Sequence, residues 1–137
     1  PHCRLPIRPV IYDTNFLISL QGRNKRFSTS AAKAWIARHE SGTLYLPRIV
    51  AMEFQAGVPD DALAAPFLRL FTTLPVSEPV LAETVRVMRE LNKNGQSIGA
   101  ADSMIAATAR LYGLPLVTDN VRHFKRIECL AVRSFIE

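Results

Sequence analysis

The sequence predicts an α/β sandwich of three layers, α/β/α, with a mostly parallel central sheet and helices on both faces. Short apolar runs of strand length, at residues 9–12, 44–46 and 114–117, are separated by longer stretches with helical periodicity. Strands alternating with helices call for parallel pairing through crossover helices. With 137 residues, 48% hydrophobic and 21% charged, the chain suits one compact domain over residues 1–137, able to bury about two-thirds of its unfolded-state surface.

The elements follow in order. Residues 9–12 enter Asp13-Thr14-Asn15, and 16–20 read helical, so the chain opens strand, turn, helix. Ser28, Thr29 and Ser30 offer hydroxyl caps for a helix to residue 40, with Ala31, Trp35 and Arg38 on one side and Gly42 past its end. Residues 44–46 form a strand that Pro47 ends, after which Ile49, Val50, Glu53 and Gly57 fall on neighbouring helical positions. Asp60 and Asp61 precede a helical stretch reaching Phe71, which Pro66 either starts or kinks. The clearest amphipathic helix covers 78–93, with Leu81, Thr84, Val85, Met88 and Leu91 on one face and Glu83, Arg86, Arg89 and Glu90 on the other. A helix over 99–112 ends at Gly113, the strand 114–117 runs into Thr118-Asp119-Asn120, and a last strand is expected at 130–132. No internal repeat or linker interrupts this order.

Composition narrows the function. Apolar runs break long before the ~20 positions of a membrane span. No basic stretch followed by an apolar core and cleavage site marks a secretory signal, so a cytoplasmic protein is expected. Cys3 and Cys129 lack CxxC spacing, which argues against a disulfide framework and a zinc site. Seventeen Lys and Arg against twelve Asp and Glu give +5, favouring an anionic partner such as nucleic acid or an acidic protein. Arg23, Lys25 and Arg26 form one basic cluster, and Arg122, Lys125 and Arg126 another.

Three acids stand alone inside apolar segments: Asp13 where the first strand meets a helix, Glu53 between residues 49 and 58, and Asp102 between residues 97 and 109. An ionised carboxylate buried without a partner is very costly. In open parallel sheets ligands gather beyond the carboxyl ends of strands, where strand order reverses. Asp13 follows one strand and Asp119 another, while the Glu53 and Asp102 helices can cover the same edge. Carboxylates about 4 Å apart repel by about 4 kcal/mol at an effective dielectric near 20, so a converging set requires protonation or a cation. All-oxygen ligation favours Mg²⁺ or Mn²⁺, which activates water and stabilises a departing phosphodiester oxygen. Thr14, Asn15, Thr118 and Asn120 then orient the acids or hold waters. Each residue also has a plainer reading. Asp13 can cap its helix, Glu53 can pair with Arg48, Asp102 can sit favourably in a first helical turn, the four polar residues can be ordinary turn formers, and His123 can be a surface histidine.

The segments Val10-Ile-Tyr-Asp-Thr-Asn-Phe-Leu-Ile18, Glu53 before Gly57, Ala101-Asp-Ser-Met-Ile-Ala-Ala-Thr-Ala109 and Leu116-Val-Thr-Asp-Asn-Val-Arg-His-Phe124 together resemble a PIN domain of the VapC toxin type, over about residues 9 to 135. The resemblance implies a PIN-like fold and an RNA-cleaving toxin that uses Mg²⁺ or Mn²⁺, is neutralised by a VapB-like antitoxin, and forms a homodimer. Asp13, Glu53 and Asp102 match the family's first three acids, and Asn120 matches an asparagine after the last sheet strand. One position departs: His123 stands where many relatives carry an acid before the phenylalanine matching Phe124. Either Asp119 supplies the missing carboxylate or the site runs on three acids. Two other classes compete: a PIN-like module that binds nucleic acid or protein without cutting, and a Mg²⁺-dependent phosphoacceptor. The latter is disfavoured because Asp13-Thr14-Asn15 lacks a second carboxylate and no lysine closely follows Thr118.

Overall fold

The structure is a computed structural model, and it describes residues 9–23, 29–39 and 42–136. Its elements run β1 (Val10–Tyr12), α1 (Thr14–Gln21), α2 (Thr29–His39), β2 (Leu44–Pro47), α3 (Arg48–Ala56), α4 (Asp61–Leu68), β3 (Thr72–Leu74), α5 (Glu78–Lys93), α6 (Ala100–Tyr112), β4 (Leu116–Thr118), α7 (Val121–Lys125) and β5 (Val132–Ser134). The five strands lie in the order β3-β2-β1-β4-β5, every neighbouring pair is parallel, and helices flank the sheet. From β1 the chain steps outward through β2 to β3, then returns to the other side of β1 for β4 and β5. The strand order therefore reverses between β1 and β4, and the carboxyl ends of these two strands bound the crevice in which such sheets bind ligands.

The central strands are apolar except for Thr118 at the end of β4, because both faces are covered: Val10, Ile11, Tyr12, Leu116 and Val117 are all buried. An aromatic cluster holds the layers together. Tyr12 lies 4.3 Å from Phe16 between ring centroids, Phe16 lies 5.0 Å from Phe135, and Trp35 Nε1 donates to the Tyr12 hydroxyl at 2.9 Å. Helix α6 stops at Gly113, whose φ of 66° admits the left-handed turn that lets Leu114 N–H reach Ala109 O and the chain enter β4.

Several expectations shift. Strand β3 is not anticipated by the sequence; it is a three-residue edge strand whose Thr72 and Thr73 are exposed, so it carries no apolar signal. Strand β5 begins at Val132 rather than residue 130, and the short helix α7 follows β4 where only turn residues were read. Helix α4 ends at Leu68, with Asp60 as its cap and Pro66 inside its last turn. Helix α2 buries Ala32 beside Trp35, while Arg38 is exposed with its guanidinium over the Trp35 ring. Helix α5 carries two apolar stripes one residue apart. Packing against α6 covers Val80, Thr84, Val87 and Leu91, and leaves Leu81 and Val85 exposed. Residues 1–8, 24–28, 40–41 and 137 lie outside the described set, and with them Cys3, Lys25, Arg26 and Ser28. Cys129 is a free, exposed thiol.

Candidate active site

Asp13 sits one residue beyond β1 in extended conformation and caps α1, its Oδ1 accepting from Thr14 N–H at 2.7 Å. Its Oδ2 accepts from Thr118 Oγ1 at 2.8 Å, and Thr118 Oγ1 in turn accepts from Asn120 N–H at 3.0 Å. The capping reading of Asp13 is thus correct without excluding the other, since the second oxygen faces the crevice between β1 and β4. Asp13 is only 6% exposed, and burial pushes its carboxyl up to about 6. The hydrogen bonds from Thr118 and Thr14 oppose that rise, while the negative charges of Asp102 and Asp119 add to it.

The next two residues of the same turn hold two more acids. Thr14 Oγ1 donates to Glu53 Oε1 at 2.8 Å, so Glu53 is tied to α1 rather than to Arg48. Asn15 Nδ2 donates to Asp119 Oδ1 at 3.0 Å. Asp102, in the first turn of α6, accepts at Oδ2 from His123 Nε2 at 2.8 Å. Ala106 and Ala109, on the same face of that helix, are completely buried. Asn120 is the exposed cap position of α7 and takes part through its backbone, with no capping bond from its side chain.

The donor set around Asp13 is all oxygen; burial is the main cause of its raised carboxyl, and the smaller part that comes from the charges of Asp102 and Asp119 is what a divalent cation relieves. Among the described residues no three Asp, Glu, His or Cys side chains close on one point as a finished metal cage. Each acid is instead held apart on its own hydrogen-bond donor: Glu53 on Thr14, Asp119 on Asn15, Asp102 on His123. The residues fit a hard cation that keeps several waters, as Mg²⁺ does, better than a dehydrated, fully caged ion.

Two residues act differently from their sequence reading. His123 is a partly exposed histidine, as a surface residue would be, but it is also the hydrogen-bond partner of Asp102; its position directly before the buried Phe124 is the signal that ties it to the core. Arg23 is not a free basic-loop cation: its Nη1 donates to Gly57 O at 2.8 Å and its guanidinium lies 4.8 Å from the Phe54 ring centroid. In the second basic cluster Arg122 and Lys125 are exposed on α7 on either side of His123, while Arg126 is half-buried.

A family model for the PIN domain matches residues 10–129. The chain belongs to the PIN-domain family. It is 33% identical over 133 residues to Ribonuclease VapC1 of Rickettsia felis, which covers 90% of this chain and 93% of that protein. It is 30% identical over 129 residues to Ribonuclease VapC2 of Haemophilus influenzae, covering 90% and 96%. Among solved structures, a chain of VapBC2 from Rickettsia felis bound to a DNA fragment from their promoter matches with a TM-score of 0.78 and 22% identity, over 93% of this chain and 98% of that one. This last likeness concerns the fold.

Proposed function

We propose that this chain is a VapC-type toxin, a Mg²⁺- or Mn²⁺-dependent endoribonuclease that hydrolyses RNA phosphodiester bonds. The observation that carries the reading is the buried Asp13 at the β1–β4 switch point, with the consecutive residues Thr14 and Asn15 holding Glu53 and Asp119 beside it. The two relatives described above, 33% and 30% identical, are named ribonucleases, which supports the substrate class. Asp13, Glu53, Asp102 and Asp119 would hold the cation, which when bound supplies Lewis acidity toward the phosphodiester and a low-pKa water. The chain's own part is positioning. Thr118 and the Thr14 amide orient Asp13, Thr14 orients Glu53, and Asn15 orients Asp119, so little rearrangement accompanies the reaction. Arg122 and Lys125 supply positive charge near an acidic crevice that would otherwise repel RNA.

The proposed partners are a VapB-like antitoxin, supported by the fold shared with a VapBC complex, and a second copy of the chain. Ile49, Met52, Val76 and Met104 line one apolar groove of about 350 Å³, and the exposure of Met52 and Val76 there is the kind of surface that a second copy would cover. Among the described residues no helix is long and apolar enough to cross a membrane, and we assign the activity to the cytoplasm, where RNA is. The matched region, residues 10–129, we read as one nuclease domain.

The competing reading, a binding module of the same fold, leaves the repulsion around Asp13 without a use. Incubating purified protein with total RNA separates the two. Cleavage in Mg²⁺ that stops with chelator, and is absent from a folded Asp102→Asn variant, supports the enzyme. RNA binding without cleavage in any metal supports the module.

A further inference from the structure

His123 Nε2 lies 2.8 Å from Asp102 Oδ2, and the proposed function gives the imidazole no part beyond that contact. A carboxylate can only accept, so the ring carries a proton on Nε2 and is the donor. An imidazole whose Nε2–H points at a carboxylate is turned away from ligating a cation through that nitrogen, and Mg²⁺ prefers oxygen in any case. His123 is also well anchored. It lies directly before Phe124, which is 1% exposed and meets its ring edge-on at 5.1 Å, and α7 begins three residues after Thr118 in β4. The strand that fixes Thr118 and Asp119 therefore also fixes His123, and through it the first turn of α6.

We propose that His123 is a positioning residue for Asp102: its Nε2–H holds Oδ2, sets the carboxylate's orientation, and leaves Oδ1 for the divalent cation. The inference rests on the metal-dependent reading above. An acid at position 123 would add a like charge against Asp102 and depend on the cation to hold the two together. The imidazole orients Asp102 before any cation arrives. Hydrogen-bond partners of metal ligands act in this way, and losing one typically weakens metal binding by about 10- to 100-fold.

The test is Mn²⁺ binding followed by calorimetry on wild-type protein and on His123→Ala and His123→Gln, with circular dichroism to verify folding. The glutamine side-chain N–H₂ can replace the Nε2 donor. We expect the dissociation constant to rise about tenfold or more in His123→Ala and to return most of the way in His123→Gln. Equal Mn²⁺ affinity in all three proteins overturns the proposal while leaving the metal-dependent reading intact, whereas a wild-type protein that binds no Mn²⁺ overturns both. Nitrogen-15 shifts of the wild-type imidazole decide the geometry without any variant: an Nε2 without a proton contradicts the donor assignment.

Discussion

Thr118 Oγ1 and Asp13 Oδ2 are hydrogen-bonded at 2.8 Å across the adjacent parallel strands β4 and β1, at the point where strand order reverses. The same hydroxyl oxygen accepts from Asn120 N–H, so one side chain fixes both the first acid and the turn that carries Asp119. Replacing Thr118 by the isosteric valine removes both bonds at a fully buried position. We expect Thr118→Val to lose about 1–3 kcal/mol of stability in urea unfolding, and cleavage to fall with it. Wild-type stability in this variant would show that the contact is incidental.

Asp13 gives a pH signature. Its carboxyl rises on folding from 3.8 to about 6, so the folded state binds the proton more tightly than the unfolded chain. The stability this contributes is complete below pH ~4 and disappears as pH rises through about 6, by at most about 3 kcal/mol. Asp13→Asn should therefore be more stable than the metal-free wild type at pH 8, and the advantage should vanish near pH 4. Urea titrations at the two pH values check this, and an unchanged difference between the proteins would remove Asp13 as its source.

Gly57 and Arg23 are coupled. A Cβ at Gly57 would approach Arg23 Nη1 to 2.7 Å, and the Nε and Nη2 of that guanidinium are buried without hydrogen-bond partners among the described residues. Because the atom in the way is the end of a flexible side chain, Gly57→Ala should cost no more than about 1 kcal/mol in the wild-type background and nothing alongside Arg23→Ala. A double-mutant cycle reads the coupling directly. Additive costs would mean that the two residues are independent.

RNA affinity should depend on α7 rather than on Arg23. Removing the exposed Arg122 and Lys125 should weaken binding across RNA sequences and make the salt dependence shallower by about 0.7 log units per lost phosphate contact. Filter binding over a range of salt measures this, and an unchanged slope would mark both as bystanders.

The sequence discloses the acids of this site more clearly than the contacts that hold them. Asp13, Glu53 and Asp102 stand out because each is the lone charge in an apolar segment, and the motif order shows that they share a fold. Which side chain holds each acid depends on contacts between residues far apart in the chain, 39 positions between Thr14 and Glu53 and 104 between Asn15 and Asp119, and no local pattern encodes those. The contact of His123 with Asp102 is hidden for the same reason, since the two lie 21 residues apart. In the fold, helices with one apolar stripe and defined ends are legible. Strand β3 is too short and too exposed to leave a pattern, and in α5 two adjacent stripes qualify equally until α6 selects one.

A Mg²⁺ titration of RNA cleavage by purified wild-type protein and a folded Asp13→Asn variant tests the metal-dependent nuclease directly. Wild-type cleavage should rise with Mg²⁺ to saturation and stop in excess chelator, and Asp13→Asn should show none at any concentration. Cleavage by the wild type that persists in chelator, or undiminished cleavage by Asp13→Asn, would contradict it.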